Sequence, residues 1–199
     1  MSTLRILTAA AFATVFAVAT ASAQQAQRLE GTIDKVEGNT LYIKASSGPV
    51  TLKLADNSLI VGVVKATVAD IKQGAYIGSG AVPQPDGSQK AVEVHIFAES
   101  MRGTGDGHRP GWLGANGTMT NGEVGQSVTS VDGPVLTVKY KDGEKKIFVG
   151  PSVPIVKYEI ADKNDLKAGK AIAVNAATKN PDGTFTTNRV NVDRGGMLQ

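Results

Sequence analysis

Apolar and polar residues alternate with a period of two along much of the chain. Leu41 and Ile43 alternate with Thr40, Tyr42 and Lys44, and Val50, Leu52 and Leu54 alternate with Thr51 and Lys53. Further on, Leu136, Val138 and Tyr140 alternate with Thr137, Lys139 and Lys141 up to a turn at Asp142-Gly143, after which Ile147 and Val149 continue the apolar face. One wet face and one apolar face predict antiparallel strands packed on a single core. The first strand is different. Ile33 and Val36, like Val128 and Val131, are three apart, so each pair points inward only across a bulge. A bulged, coiled first strand lets a short sheet curl until it closes.

The pattern recurs at an offset of 95 residues. Val36-Glu37-Gly38-Asn39-Thr40-Leu41 aligns with Val131-Asp132-Gly133-Pro134-Val135-Leu136, and the stretch from Thr67 to Gly74 aligns with Asp162 to Gly169. Thr67 and Asp162 stand as N-caps of one helical turn, with Asp70 and Asp165 three residues on and Gly74 and Gly169 as stops. Three strands, a further extended segment, a capped turn and a closing hairpin follow the order of an OB-like barrel. A pair of small β-sandwiches is the competing architecture. The expected fold class is all-β: two tandem OB-like small β-barrels, each with one short helical turn. They occupy 24–97 and 125–194, with a glycine-rich segment at 98–124 and a tail at 195–199.

Residues 1–23 read as a signal peptide. Arg5 is the positive start, Ile6 to Thr20 form an apolar run, and Ala21-Ser22-Ala23 is a small-x-small cleavage site. The run is shorter than the roughly 20 residues of a spanning helix. The expectation is a periplasmic or secreted protein without membrane insertion after cleavage. No cysteine is present, which removes disulfide scaffolds, thiolate metal sites and cysteine nucleophiles. The net charge is +3, and subtracting Arg5 leaves about +2, too little to favour nucleic acid as partner. Tyr42 and Phe148 are candidate exposed aromatics. Lys139, Lys141, Lys145 and Lys146 form a basic hairpin that reads as a solvated face, with an acidic polysaccharide as its more plausible partner.

The segment 98–124 breaks both the repeat and the alternation, with seven glycines in its 27 residues. It and its entry strand hold both histidines, His95 and His108, the single tryptophan, Trp112, and Met101 and Met119. Val92, Val94 and Ile96 share one face of the entry strand, so Glu93, His95 and Phe97 point the other way. Imidazole with thioether suits Cu(I), and imidazole with carboxylate suits Cu(II) or Zn(II). One reading is therefore a metal site of His95, Met101, His108 and Met119, with Trp112, Glu99 and Asp106 as auxiliaries and copper as the ion. The other is a packed segment in which Arg102, His108 and Arg109 pair with Glu99 and Asp106, and Arg102, Arg109 and Trp112 meet a partner. Catalysis is not expected: Ser100 lacks the elbow of a serine hydrolase, and the Gly103-x-Gly105-x-Gly107 run lacks the strand and helix of a phosphate cradle.

The string from Val94 to Pro110 (VHIFAESMRGTGDGHRP), followed by Thr118-Met119-Thr120-Asn121, resembles the signature of an uncharacterised family of exported bacterial proteins with tandem OB-like domains of unknown function. It departs from the family pattern at Ala98, where a proline is usual, and at Gly111-Trp112-Leu113, where tryptophan usually follows proline directly. The resemblance implies export. Some members are labelled permeases of metal transporters, which implies metal handling. Two functions are thus expected: a non-catalytic binding or accessory protein for an unknown periplasmic protein or surface polymer, with 98–124 as recognition surface, or a periplasmic copper-type metal-binding protein or chaperone.

Overall fold

Strands β1 (Gln27–Glu37), β2 (Thr40–Ala45) and β3 (Gly48–Ala66) form an antiparallel meander in the register that the alternation demands, with Leu41 facing Leu52 and Ile43 facing Val50. The computed structural model describes residues 26–111, 116–130 and 132–198; the expected signal peptide at 1–23, Trp112 and Val131 lie outside these. The remaining strands are β4 (Tyr76–Pro83), β5 (Gln89–Ile96), β6 (Gly107–Pro110), β7 (Thr118–Ser130), β8 (Gly133–Tyr140), β9 (Gly143–Phe148), β10 (Ile155–Ala161), β11 (Ala171–Lys179) and β12 (Phe185–Asp193). The described residues are all-β apart from isolated 3-10 turns.

Two rings close within this sheet. In the first, β1 pairs with β2 and β11, β2 with β3, β11 with β12, and β12 runs parallel to β3. In the second, β7 pairs with β8 and β4, β8 with β9, β4 with β5, and β5 runs parallel to β9 at Gln89–Ile147 and Lys90–Phe148. Each ring is a closed five-stranded barrel in which the last strand of a three-stranded meander (β3 or β9) runs parallel to the second strand of a hairpin (β12 or β5), the closure of an OB-like barrel. Closure leaves few unpaired edges. Ile33, Leu41, Leu52, Val174, Val190 and Val192 fill the first barrel, and Ile77, Val94, Val124, Leu136, Val138 and Ile147 fill the second.

The pairings do not follow the division at 24–97 and 125–194. Each barrel takes three strands from one side of the central segment and two from the other. The capped turns are exchanged as well. Ile71, just after the turn at Val68–Asp70, packs in the second core, and Leu166, just after Lys163–Asp165, packs in the first. Both turns carry the expected caps: Asp70 accepts the Thr67 N–H at 2.8 Å, and Asp165 accepts the Asp162 N–H at 3.1 Å. Gly74 and Gly169 end them at φ +80° and +85°.

The exchange runs through one ladder. The second half of β3 pairs antiparallel with β10, from Ile60–Ala161 to Ala66–Ile155, and the central pair is Val63–Tyr158. These two residues are 95 apart in sequence, so the ladder maps onto itself when positions 95 apart are interchanged. β3 is 19 residues long because it leaves the first barrel without a turn and continues beside the second.

Three local expectations differ from the structure. Val128 is 55% exposed, and the bulge of the second first-strand lies at Val124/Gln126, the counterpart of Ile33/Lys35 in β1. The β7–β8 hairpin is longer than β1–β2, which moves the strand earlier than the alignment placed it. Residues 118–124 consequently belong to β7 and not to the glycine-rich segment. Their inward positions are Thr118, Thr120 and Gly122, which carry no apolar signal; Thr118 donates to Gln89 Oε1 at 2.7 Å inside the barrel. In β5, a register shift at Ala91 turns Val92 outward, where it is 41% exposed, and puts Ala91 in its place.

The exchange makes a physical prediction. With a protease site inserted between Gly111 and Asn116, the two fragments of the cut chain elute together at the mass of the intact protein and part only in denaturant. Barrels built separately from the two halves would part on native gel filtration. A second test concerns close approach. A Cβ on Gly122 would lie 2.2 Å from the Lys139 carbonyl oxygen, whereas one on Gly125 meets only the flexible Lys139 side chain. Gly122→Val should lower the unfolding free energy by roughly 3 kcal/mol, and Gly125→Ala should change it by less than about 0.5 kcal/mol, measured by chemical denaturation.

Candidate functional site

Between the barrels, astride the β3–β10 ladder, lies a half-open cleft of about 570 Å³. Its construction begins with two glycines on the outward face of β4. Gly78 lies between His95 of β5 and Asn121 of β7, and Gly80 between Glu93 and Met119. The strand between these four side chains is therefore bare. A Cβ on Gly78 would meet Asn121 Oδ1 at 2.7 Å and Phe97 at 3.1 Å. Asn121 is 5% exposed, and its Oδ1 is a buried side-chain oxygen with no hydrogen-bond partner among the described residues.

Tyr158 forms the centre of the cleft. His95 stacks on it at 5.0 Å between ring centroids, Phe97 meets it edge-on at 5.4 Å, and the Arg189 guanidinium lies over the ring at 5.4 Å. His95 Nε2 is 3.4 Å from Glu93 Oε1. The Tyr158 hydroxyl makes no hydrogen bond to the described residues and is not sealed from the cleft. Burial pushes its pKa up to about 12, with Glu93 adding to the rise while Arg189 and Arg28 oppose it. Burial also lowers the pKa of Arg189, whose Nε donates to Asn191 Oδ1 at 3.2 Å.

The central segment forms one rim. Its 3-10 turn at Glu99–Met101 is fastened by Arg102, which donates to Glu99 at 2.5 and 2.9 Å, to Glu123 at 3.0 Å and to the Gly74 carbonyl at 2.8 Å. Asp106 accepts the Tyr76 hydroxyl at 3.1 Å and the Lys141 N–H at 2.8 Å, and the Asn121 amide donates to the Thr104 carbonyl at 2.9 Å. These bonds present Thr104, Gly105 and Arg109 to the cleft. Tyr76 is held to about 12 by burial and by the Asp106 carboxylate. The far end is closed by Met197 and Leu198 of the tail. Their backbone N–H groups donate to Asp193 at 2.8 and 3.3 Å.

The predicted site residues are dispersed. His95 and Met119 line the cleft, but Met101 is buried in an apolar cluster with Val61, Val63 and Tyr158. His108 pairs with Thr120, so it faces away from Arg109 and Met119, which are in register with each other. Its Nδ1 is 2.8 Å from Thr120 Oγ1, its ring lies 6.3 Å from that of Tyr140, and burial and Lys145 lower its pKa. The four proposed ligands do not converge on one point. No three His, Asp or Glu side chains among the described residues are placed to share a metal ion. Of the auxiliaries, Glu99 is occupied by Arg102, and Asp106 by Tyr76 and Lys141. Of the partner-binding set, Arg102 is committed to internal bonds and Arg109 lines the cleft, donating to the Gly105 carbonyl at 2.7 Å. Tyr42 is half-buried and donates to Glu37 at 2.9 Å. Sequence reasoning missed Tyr158, Arg189, Asn191 and the Gly78-x-Gly80 pair. The glycine pair was visible in the sequence, but only the strand order shows what lies on either side of it.

Two raised phenol pKa values set an alkaline limit. The unfolded chain releases the Tyr76 and Tyr158 protons near pH 10 and the folded chain near pH 12. Their contribution is complete below the lower value and is lost as pH rises towards the higher. Unfolding free energy should therefore fall between about pH 10 and 12. Tyr158→Phe should reduce that fall while changing stability at neutral pH by less than about 0.5 kcal/mol, since its hydroxyl bonds to none of the described residues. No helix among the described residues is long and apolar enough to cross a membrane. Comparison with family models, with curated proteins and with solved structures returns no match.

Proposed function

We propose that this chain is an exported, non-catalytic binding protein whose ligand site is the cleft between the two barrels. One observation carries the reading: a cleft of about 570 Å³, in the size range of small-molecule sites, has an aromatic centre and polar groups from both barrels and the central segment. The hydroxyl of Tyr158 faces it without a hydrogen-bond partner among the described residues. The groups facing the cleft are guanidinium, amide, phenol, imidazole and the Glu93 carboxylate, which can bind and orient a ligand. The central segment contributes through Thr104, Gly105 and Arg109, the role expected of a recognition surface.

The test is a thermal-shift screen of residues 24–199 against small organic compounds and metal ions, repeated on Asn175→Trp. Asn175 is an exposed residue of β11 that lines the cleft, so the indole fills the cavity without disturbing either core. At least one organic compound should raise the Tm of the wild-type chain by mass action and leave that of the variant unchanged. Equal shifts in both proteins would place binding elsewhere and overturn the reading. A copper-dependent rise that His95→Ala abolishes would replace it with metal binding.

A further inference from the structure

The walls of the cleft differ in charge. Strand pairing makes Glu93 of β5 the counterpart of Arg189 of β12, His95 the counterpart of Asn191, and Met119 the counterpart of Arg28. One wall thus carries two guanidinium groups and an amide where the other carries a carboxylate, a thioether and an imidazole. Arg109 adds a third guanidinium from the central segment, which has no counterpart. Three guanidinium groups face one carboxylate.

Arg189 is the most telling of these. It is half-buried, and its contacts are the amide of Asn191, the Thr187 hydroxyl at its backbone N–H and the Tyr158 ring. No carboxylate among the described residues forms an ion pair with it. Arg109 donates to a carbonyl and likewise has no ion pair among the described residues. Arg28 is already paired with Glu30 at 2.6 Å. A guanidinium drawn out of water without an anion costs free energy, and its planar fork matches a carboxylate or phosphate. Around it the lining is apolar and adaptable, with Met119, Met197, Leu198, Pro110 and Pro154.

We infer that the cleft takes an organic anion, a carboxylate or phosphate on an apolar body, with Arg189 as its principal anchor and Arg109 as the second. This inference rests on the cleft being the binding site. The anion completes the coordination of Arg189 beside the Tyr158 hydroxyl, and the apolar body lies on the methionines and prolines.

Three probes of one shape separate the two levels of the argument: naphthoate, naphthamide and naphthylmethylamine, titrated calorimetrically into residues 24–199. Naphthoate should bind at least tenfold tighter than naphthamide, and the amine weakest. Arg189→Gln should remove the preference for the anion and leave naphthamide binding unchanged. Should that variant fail to fold, Arg109→Gln, at an exposed side chain, decides instead with a loss of at least threefold for naphthoate alone. Equal affinity for naphthoate and naphthamide, or a preference that survives Arg109→Gln and Arg189→Gln, overturns the anion and leaves the cleft as a site. Absence of binding by all three probes, or binding that persists in Asn175→Trp, overturns the cleft and the anion together.

Discussion

The antiparallel ladder between β3 and β10 is the constraint on which the rest of the structure depends. It carries the chain out of one barrel and into contact with the other, and it puts Val63 opposite Tyr158. Because it is hydrogen-bonded along its length, the two barrels cannot turn independently without breaking backbone bonds. A cleft between two linked barrels would ordinarily vary in width with the linker. Here its floor is continuous sheet, which holds Arg189 on β12 and His95 on β5 at fixed positions across the ladder.

The interiors of the two barrels are chemically alike, filled by Ile, Leu and Val at matching strand positions. Their cleft faces are not. Packing favours apolar side chains of the right volume inside a small barrel and admits polar ones such as Thr118 and Gln89 where they bond to each other, so both cores converge on similar solutions. Nothing in the fold requires Glu93 where the other wall has Arg189, or His95 where it has Asn191. The difference in chemistry thus falls at the surface that both barrels build, while the frame beneath stays the same. Arg102 and Asp106 illustrate the distinction from the other side. They are charged residues of the central segment, but their bonds are internal, and their work is to hold the rim in place.

Much of the fold was legible because strand alternation, turn residues and caps are local. Leu41, Leu52, Leu136 and Ile147 are buried as their periodicity requires, and the Thr67–Asp70 and Asp162–Asp165 caps form as written. The exchange of strands was not legible. A strand records which of its faces is buried, but not which barrel buries it, and Ile77 reads the same in either. The beginning of β7 was hidden because Thr118, Thr120 and Gly122 face inward, so the buried face looked polar. For the site, His95 and Met119 were found from residue type and strand parity. Tyr158 and Arg189 were not, because they lie 63 and 94 residues beyond His95 in sequence and meet it only through the β5–β10 and β3–β12 pairings.

Placing the cleft at the exchange also explains why its two walls can differ. Two separate copies of one unit, paired about a two-fold axis, would present every wall residue twice. A glutamate at the position of Glu93 would then face a second glutamate, and an arginine at the position of Arg189 a second arginine. Like charges on opposite walls of a small cleft repel when water is excluded from between them. In a single chain the two positions are encoded separately. An arginine on one wall, a histidine–glutamate pair on the other and Arg109 at the rim can then act on a single ligand. The continuity of the chain through residues 98–124, far from being only a connection, is what permits a polar, directional site on a frame whose strands are arranged symmetrically.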